Sequence, residues 1–392
     1  MSVQVSNVIS DVKNFARNQN LSDDRVISSI NTAIDLVSSH LGLPGHEMQY
    51  TFNYFDENPY IPLPADFGEP ISLRFSEDRL NQFNRFHFVL PEYIYPRIDA
   101  VDFQTALWSY DFSSGKKQLI VLTKNSTSQI LIDSLDNSCN TWVASNDATN
   151  VVNDNITYKE GAGSLRFDVN VNLSTNNKAT LTGTFPQGYD LRTMNDQGYF
   201  LVYVFIPNIT NFSSITLSWG SDSSNYWTQT VMNQLDGSPF EVGWNTIGIP
   251  WYDASIVGIP NETNVKWFKF DFSYTGSYVS TPGFRLDHFL AKKPDKMILS
   301  YYTTYRGKNA NGNYITSFSS PTDTFLFGDF DPALRQLISI ETAVILNPQL
   351  LVENNSVSIL YNNFFSTYSR KYPKKRINNL FIDPTIARTS YD

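Results

Sequence analysis

The side chains able to do chemistry in this 392-residue chain are chiefly carboxylates, aromatic rings and one basic cluster. Asp133, Asp136, Asp168, Asp253 and Asp287 fall in one long β-rich interval. A glycosidase needs two carboxylates facing one cleft at a set separation, and nothing in the spacing pairs these. No two of the four histidines, His40, His46, His87 and His288, stand at metal-ligand spacing, and Cys139 is the single cysteine. Neither a zinc site nor an internal disulfide framework is therefore expected. The chain has no Gly-x-x-x-x-Gly-Lys phosphate loop and no Gly-x-Ser-x-Gly elbow, so nucleotide hydrolysis and the commonest serine chemistry lack support. No enzymatic role is expected. Trp219, Tyr226 and Trp227 lie close together in a β-rich stretch. Turned outward they would make a platform for stacking on a sugar face; turned inward they would be sandwich core, the favoured alternative, although alternation alone does not say which face each ring takes. Arg370, Lys371, Lys374, Lys375 and Arg376 form the basic cluster. The chain carries a net charge of −9 and a pI near 5.0, whereas gripping nucleic acid through its phosphates needs a basic footprint. The cluster reads instead as a helix end and a contact for an acidic protein partner.

Helices at the two ends and strands between them must position these groups. Ser22 is an N-cap before Asp23 and Asp24, and Val26, Ile30, Ile34, Val37 and Leu41 follow at helical spacing until Gly42 and Pro44 stop the run. A shorter helix carries Val8, Ile9, Val12 and Phe15. Asp331-Pro332 opens a third, with Leu334, Leu337, Ile338, Glu341, Val344 and Ile345, and Val357, Leu360, Tyr361, Phe364 and Tyr368 mark a fourth that ends at Pro373. Each helix has one apolar stripe and so needs a partner; packing all four together is the economical solution. Short apolar stretches alternate with turn residues from Met48 to Lys124 and resume at Met297–Thr303 and Tyr314–Phe318, which suits a small antiparallel sheet. The roughly 160 residues between Ile130 and Lys293 are enough for a domain of their own. No apolar run approaches the ~20 residues that span a bilayer, and residues 1–11 lack the basic and apolar regions of a secretory signal. The expectation is a chain made in a cytoplasm, with no membrane partner and with sequons such as Asn155 and Asn261 left unmodified.

Residues 63–75 read Leu-Pro-Ala-Asp-Phe-Gly-Glu-Pro-Ile-Ser-Leu-Arg-Phe, after two helices and far ahead of two more. This layout resembles the head-to-tail adaptor, or connector, proteins of tailed bacteriophages. Within the long interval, Tyr158-Lys-Glu-Gly-Ala-Gly-Ser-Leu-Arg-Phe-Asp, Gly243-Trp-Asn-Thr-Ile-Gly-Ile-Pro-Trp, Trp267-Phe-Lys-Phe-Asp-Phe and Phe284-Arg-Leu-Asp-His-Phe follow in an order similar to that of carbohydrate-binding-module jelly-rolls. Many short strands at regular spacing argue independently for a sandwich. Together these imply an α+β chain. A helical bundle with a small antiparallel sheet is expected from residues 1–129 and 294–372, an inserted all-β sandwich from 130–293, and an extended docking arm from 373–392. The adaptor resemblance implies a structural role in the virion neck: a ring of about twelve copies, a number taken from the resemblance alone, that binds the portal protein and the next neck or tail protein. Phage DNA would pass through such a ring without sequence-specific binding. In that role Lys374, Lys375, Arg376, Leu380, Phe381 and Ile382 are the expected portal contacts. The jelly-roll resemblance implies a structural calcium at Asp133, Asp136, Glu160 and Asp287, calcium being suited to oxygen-rich clusters, with solvated loop carboxylates as the alternative; no other cofactor is expected. The alternative function is glycan binding by the sandwich.

Overall fold

The computed structural model describes residues 2–76, 85–89, 105–112, 117–123, 129–171, 173–328, 332–353 and 355–375. The chain opens with β1 (Ser2–Gln4), α1 (Val5–Phe15), α2 (Asp23–His40), β2 (Glu47–Tyr54), β3 (Tyr60–Pro62), β4 (Phe67–Phe75), β5 (Arg85–Phe88), β6 (Thr105–Asp111) and β7 (Gln118–Leu122). The middle holds β8 (Gln129–Asp133), β9 (Trp142–Asn146), β10 (Ala148–Asp154), β11 (Ser164–Val169), β12 (Lys178–Tyr189), β13 (Tyr199–Ile206), β14 (Phe212–Asp222), β15 (Asn225–Val231), β16 (Gly243–Pro250), β17 (Ser255–Val257), β18 (Val265–Tyr274) and β19 (Thr281–Lys292). It closes with β20 (Asp295–Thr303), β21 (Gly307–Lys308), β22 (Tyr314–Ile315), β23 (Thr324–Gly328), α3 (Pro332–Leu346), α4 (Leu350–Glu353) and α5 (Asn355–Lys371).

The two ends of the chain build one core. The apolar stripes Val5, Val8, Ile9 and Val12 of α1 and Val26, Ile27, Ile30, Ile34 and Val37 of α2 bury against Leu334, Leu337 and Ile338 of α3. β1 pairs with β23 in the sheet β1-β23-β21-β22, whose Phe325 and Phe327 enter the same core. Asn31 on α2 ties helix to loop, donating to the Phe318 carbonyl at 3.0 Å and accepting from its N–H at 2.9 Å. Helix α5 lays a half-buried stripe on this core: Val357 and Tyr368 are buried, and Tyr361, Phe364 and Phe365 pack against it partly exposed.

Beside this core the sheets β2-β20-β4 and β3-β7-β6-β5 share a second one, containing Phe52, Tyr54, Phe67, Leu73, Trp108, Leu119, Val121, Met297, Leu299 and Tyr301. Asp66, in the Leu-Pro-Ala-Asp-Phe stretch, accepts hydrogen bonds from the Tyr301 hydroxyl at 3.0 Å and from Thr303 Oγ1 at 2.7 Å. It thereby fixes the start of β4 to β20, a strand that arrives only after the whole sandwich has been made.

The expected α+β class, a helical bundle with a small antiparallel sheet, is overturned. Strands make up 46% of the chain and helices 20%, and the strands form five sheets. Three of those sheets lie outside the sandwich, and β5 pairs with β6 in parallel. The reason lies in the strands themselves: Phe52, Tyr54 and Leu73 of β2 and β4 alternate into one core, while β7 is buried on both faces, with Leu119 and Val121 in that core and Ile120 and Leu122 in a separate cluster with Val89 and Leu107.

The middle of the chain is an antiparallel sandwich. One sheet runs β10-β11-β19-β13-β16, with β8 also paired to β19; the other runs β17-β15-β14-β18-β12-β9. Between them lies one aromatic-rich core that includes Trp142, Phe167, Phe200, Trp219, Phe268, Phe270, Phe272, Phe284 and Phe289. The sandwich meets the terminal base where Phe55 packs on Leu201 and Leu290. At the same place the buried Lys292 ammonium bonds Asp56 and, at 2.7 Å, Glu57.

Candidate functional site

The first of the two sandwich sheets carries its chemistry on its outer face. Phe200, Val202, Val204 and Ile206 of β13 point into the core, so alternation turns Tyr203 and Phe205 outward. Register then aligns a row across five strands: Trp244 on β16, Phe205 on β13, Arg285 on β19, Arg166 on β11 and Val152 on β10. Trp244 and Phe205 meet edge to face at 5.5 Å, and the Arg285 guanidinium lies 4.9 Å over the Phe205 ring. Arg285 Nε donates to Asp154 Oδ2 at 2.8 Å, and one terminal nitrogen donates to the Gly283 carbonyl at 2.7 Å. Burial alone would raise the Asp154 pKa, but hydrogen bonds from Ile156 N, from Arg285 and from Thr157 N outweigh it and hold the carboxylate below its usual range. Arg285 is therefore held flat, in its charged pairing, against an aromatic ring. The half-buried Trp244, Phe205, Arg285 and Arg166 and the exposed Val152 form an open strip.

The next row holds Tyr203 and Asp287, partners in register. His288 takes a left-handed backbone (φ 54°), and there β19 changes neighbour from β11 to β8. This bulge breaks the alternation: Leu286 and Phe289 both stay in the core, and the His288 ring stacks on Tyr203 at 6.3 Å. The backbone N–H groups of Lys159 and Glu160 donate to Asp287 Oδ2 at 2.6 and 2.9 Å, which closes the 159–163 loop over this row. Asp287 is fully buried and its Oδ1 has no partner among the described residues. Burial raises its pKa despite the two N–H bonds. Burial likewise pushes the Tyr203 hydroxyl far up, with Glu160, Glu57, Asp56 and Asp287 adding to the effect.

The four acids expected to share calcium are divided. Asp136 and Asp287 do converge on the 159–163 loop that contains Glu160, but as its anchors: Asp136 Oδ1 accepts from Ala162 N and Gly163 N, both at 2.8 Å. Gly161 is required in that turn, since it has φ +68° and an added Cβ would stand 2.6 Å from Asp136 Oδ1. Asp133 is engaged elsewhere, accepting from Leu135 N, Ser138 Oγ and Trp142 Nε1, and Glu160 is exposed. Among the described residues no group of three or more His, Cys, Asp or Glu side chains is placed to hold one metal ion. The orphaned Asp287 Oδ1 suits a cation, but Asp133 is turned to its own hydrogen bonds, and Asp136 and Asp287 each already give one oxygen to backbone N–H groups, so the four acids are not assembled around one point.

The aromatic platform is divided as well. Trp219 and Trp227 are 0% and 7% exposed and stack in the core with Trp251, so the core reading holds for both and the platform reading is corrected. Tyr226 faces outward and pairs at 5.3 Å with Trp267, a ring on the neighbouring outer face. At the C-terminus, Lys374 and Lys375 are tied to the chain itself, by Glu69 at 2.7 Å and Glu47 at 2.6 Å, and Lys375 N donates to the Tyr302 hydroxyl at 2.9 Å. Two carboxylates on β2 and β4 thus already neutralise them. Arg376, Leu380, Phe381 and Ile382 lie outside the described residues.

Sequence reasoning missed the Trp244–Phe205–Arg285–Arg166 row. Trp244, Arg285 and Arg166 stand inside stretches singled out for their fold, but Phe205 does not, and β13 reads Tyr-Phe-Leu-Val-Tyr-Val-Phe-Ile, apolar on both faces, so nothing in it marks which rings point outward.

No family model matches this chain, and no curated protein matches it in sequence. Among solved structures it is similar to a family 30 carbohydrate-binding module (12% identity, TM-score 0.31, covering 43% of this chain and 98% of that one). It is also similar to the family 30 module of a cellulosomal cellulase of Clostridium thermocellum (15%, 0.30, 44% and 97%). A third is a xylan-binding domain of family 22 (15%, 0.26, 42% and 95%). These neighbours are jelly-roll-like carbohydrate-binding modules and take in about 43% of the chain.

Proposed function

We propose that this chain is a non-catalytic glycan-binding protein: its sandwich holds a hydroxyl-rich sugar chain, and its mixed helical and β base joins the sandwich to a larger particle. The observation that carries the reading is the outward row of Trp244, Phe205, Arg285 and Arg166. An indole or phenyl face matches the C–H face of a sugar ring, and a fixed guanidinium offers planar donors to hydroxyl oxygens. With Arg285 held by Asp154 and Phe205, little side-chain entropy remains to be lost on binding. The apolar residues of α4 and α5 left in water, Val352 at 86% exposed and Ile359 at 52%, support a base that is covered in an assembly.

A glycan array read alongside affinity electrophoresis tests this. The protein should bind one class of polysaccharide with micromolar affinity, and Trp244→Ala should weaken binding at least tenfold. Silence across the array, or full binding by the variant, overturns the reading; turnover of any polysaccharide overturns its non-catalytic part.

A second reading keeps the virion-neck role, with the chain as one copy in a ring bound to a portal protein. It is supported by the shared core of the first and last helices and by the pairing of β1 with β23. Mixing the protein with portal rings from the same genome and weighing the products by native mass spectrometry tests it: a portal carrying a full set of copies supports the role, and no association excludes it.

A further inference from the structure

We propose, on the reading that this is a glycan-binding protein, a second sugar subsite in the groove between base and sandwich, shaped for a neutral, hydroxyl-rich chain. The groove has a volume of about 230 Å³ and is lined by Tyr50, Asn53 and Asn58 from the base and by Tyr199 and Asp236 from the sandwich. A hollow of about 400 Å³ that includes Gln118 shares Pro62 and Asp236 with it. The two therefore adjoin, which gives room for more than one sugar ring.

Three polar groups in the groove keep unused capacity. Asn53 Nδ2 donates to the Tyr199 hydroxyl at 3.2 Å, which leaves its carboxamide oxygen as an acceptor. Asn58 Oδ1 accepts from Tyr60 N at 3.3 Å, which leaves its amino group as a donor. Asp236 Oδ1 accepts from Ser238 N at 2.9 Å and Ser238 Oγ at 2.6 Å, which leaves Oδ2. These atoms have no other bonds among the described residues. Acceptor, donor and acceptor around two half-buried tyrosine rings suit hydroxyl groups that both give and take hydrogen bonds. The rings are held by neighbours, Tyr50 stacked on Phe52 at 5.6 Å and Tyr199 edge-on to Phe55 at 5.1 Å. Among the described residues, Asp236 and, in the adjoining hollow, Lys117 are the charged side chains lining the two, so they balance, and no cluster of cations is present to hold a uronic acid or a phosphate. An extended peptide is the weaker fit, because Pro62 removes a backbone donor from the edge strand β3.

The test uses the full chain with cello-, xylo- and maltohexaose, read by native mass spectrometry and calorimetry. Two sugar molecules per chain are expected for the preferred hexasaccharide. Tyr50→Ala and Asn58→Ala should each leave one, Trp244→Ala should leave the other, and the Tyr50→Ala/Trp244→Ala double variant should bind none. Unchanged circular dichroism shows that each variant is folded, and Asn58→Ala alters no core residue. A stoichiometry of one that Trp244→Ala abolishes, or a stoichiometry of two kept by both groove variants, overturns the subsite and leaves the sandwich reading intact. No binding by the unaltered protein overturns both.

Discussion

The sandwich gathers its apolar side chains into a single core, whereas the base divides its own among separate clusters. In the sandwich, Trp142 touches Phe185, Phe270 and Phe289 and donates its indole N–H to Asp133 at 3.0 Å, so ring packing and the one polar group are satisfied together. In the base, helices and sheets are joined by ion pairs near the surface: Arg335 to Asp11, Arg306 to Asp35, Lys374 to Glu69 and Lys375 to Glu47. Such pairs are individually weak and are screened by salt. The difference teaches that the sandwich can leave the face with Trp244, Phe205 and Arg285 open because its interior is closed in one core, while the base is held by several smaller cores and the contacts between them.

The largest effect should come from opening the closed core. Trp142→Ala leaves a ring-sized cavity and strands the Asp133 oxygen, at a cost of about 3–5 kcal/mol. Urea unfolding followed by tryptophan fluorescence should show the transition of the sandwich moving while that of the base stays; a shift of both together would make the two regions one cooperative unit.

The next effect belongs to the base and depends on pH. Burial, helped by the nearby Arg306 charge, lowers the His46 pKa to about 4. A histidine depressed in the folded state contributes stability that is fully present above its unfolded pKa near 6.5 and is lost as pH falls through 4. Thermal midpoints measured from pH 7 to pH 4 should reveal a loss of up to about 3 kcal/mol from this group, and His46→Leu should flatten that part of the profile. An unchanged profile in the variant would remove His46 as the cause.

Lys292 sits on the seam between the regions. Lys292→Met leaves Asp56 and Glu57 without their cation and should cost about 2 kcal/mol, below the usual figure for a broken buried pair because Asp56 is partly in water. Burial, with Asp56 beside it, keeps the Glu57 pKa above the ordinary carboxylate value although Lys292 pulls it down. A carboxyl group raised in the folded state loses its stabilising contribution as pH rises through the folded pKa. The variant should therefore be more destabilised at pH 8 than at pH 5; equal losses at both would mean that Glu57 does not titrate there.

The smallest stability effect should accompany the largest binding effect. Trp244→Ala on the open row removes a half-buried ring packed on Phe205 and should cost only about 1 kcal/mol, yet weaken glycan binding tenfold or more. A large drop in thermal midpoint would instead make Trp244 part of the packing.

Much of this was legible from local pattern. The stripes of α1, α2 and α3 fall where residues three and four apart share a face, and the sandwich announces itself by short strands and turns. The return of the sheet at Met297–Thr303 was legible and β20 does pair with β2 and β4, but the division of the base strands into three sheets was not, because no local pattern records which strands are partners. The site residues were less legible for a related reason: Asp136 and Asp287 each give one oxygen to backbone N–H groups, and Trp219 and Trp227 point inward, as the favoured core reading had it, which only the fold decides.

The sequence by itself determined which segments are helix and which are strand, where an aromatic-rich sandwich interrupts the chain, and that an acidic surface with one cysteine must rely on packed cores. Those properties follow from periodicity and composition, which act over a few residues. Only the tertiary structure decided which face each ring takes, which acids are already spent, and that Trp244, Phe205, Arg285 and Arg166, drawn from four separate strands, form one row. A row across a sheet is set by register between strands distant in sequence, and a register shift of one residue would turn every member of a strand to the opposite face.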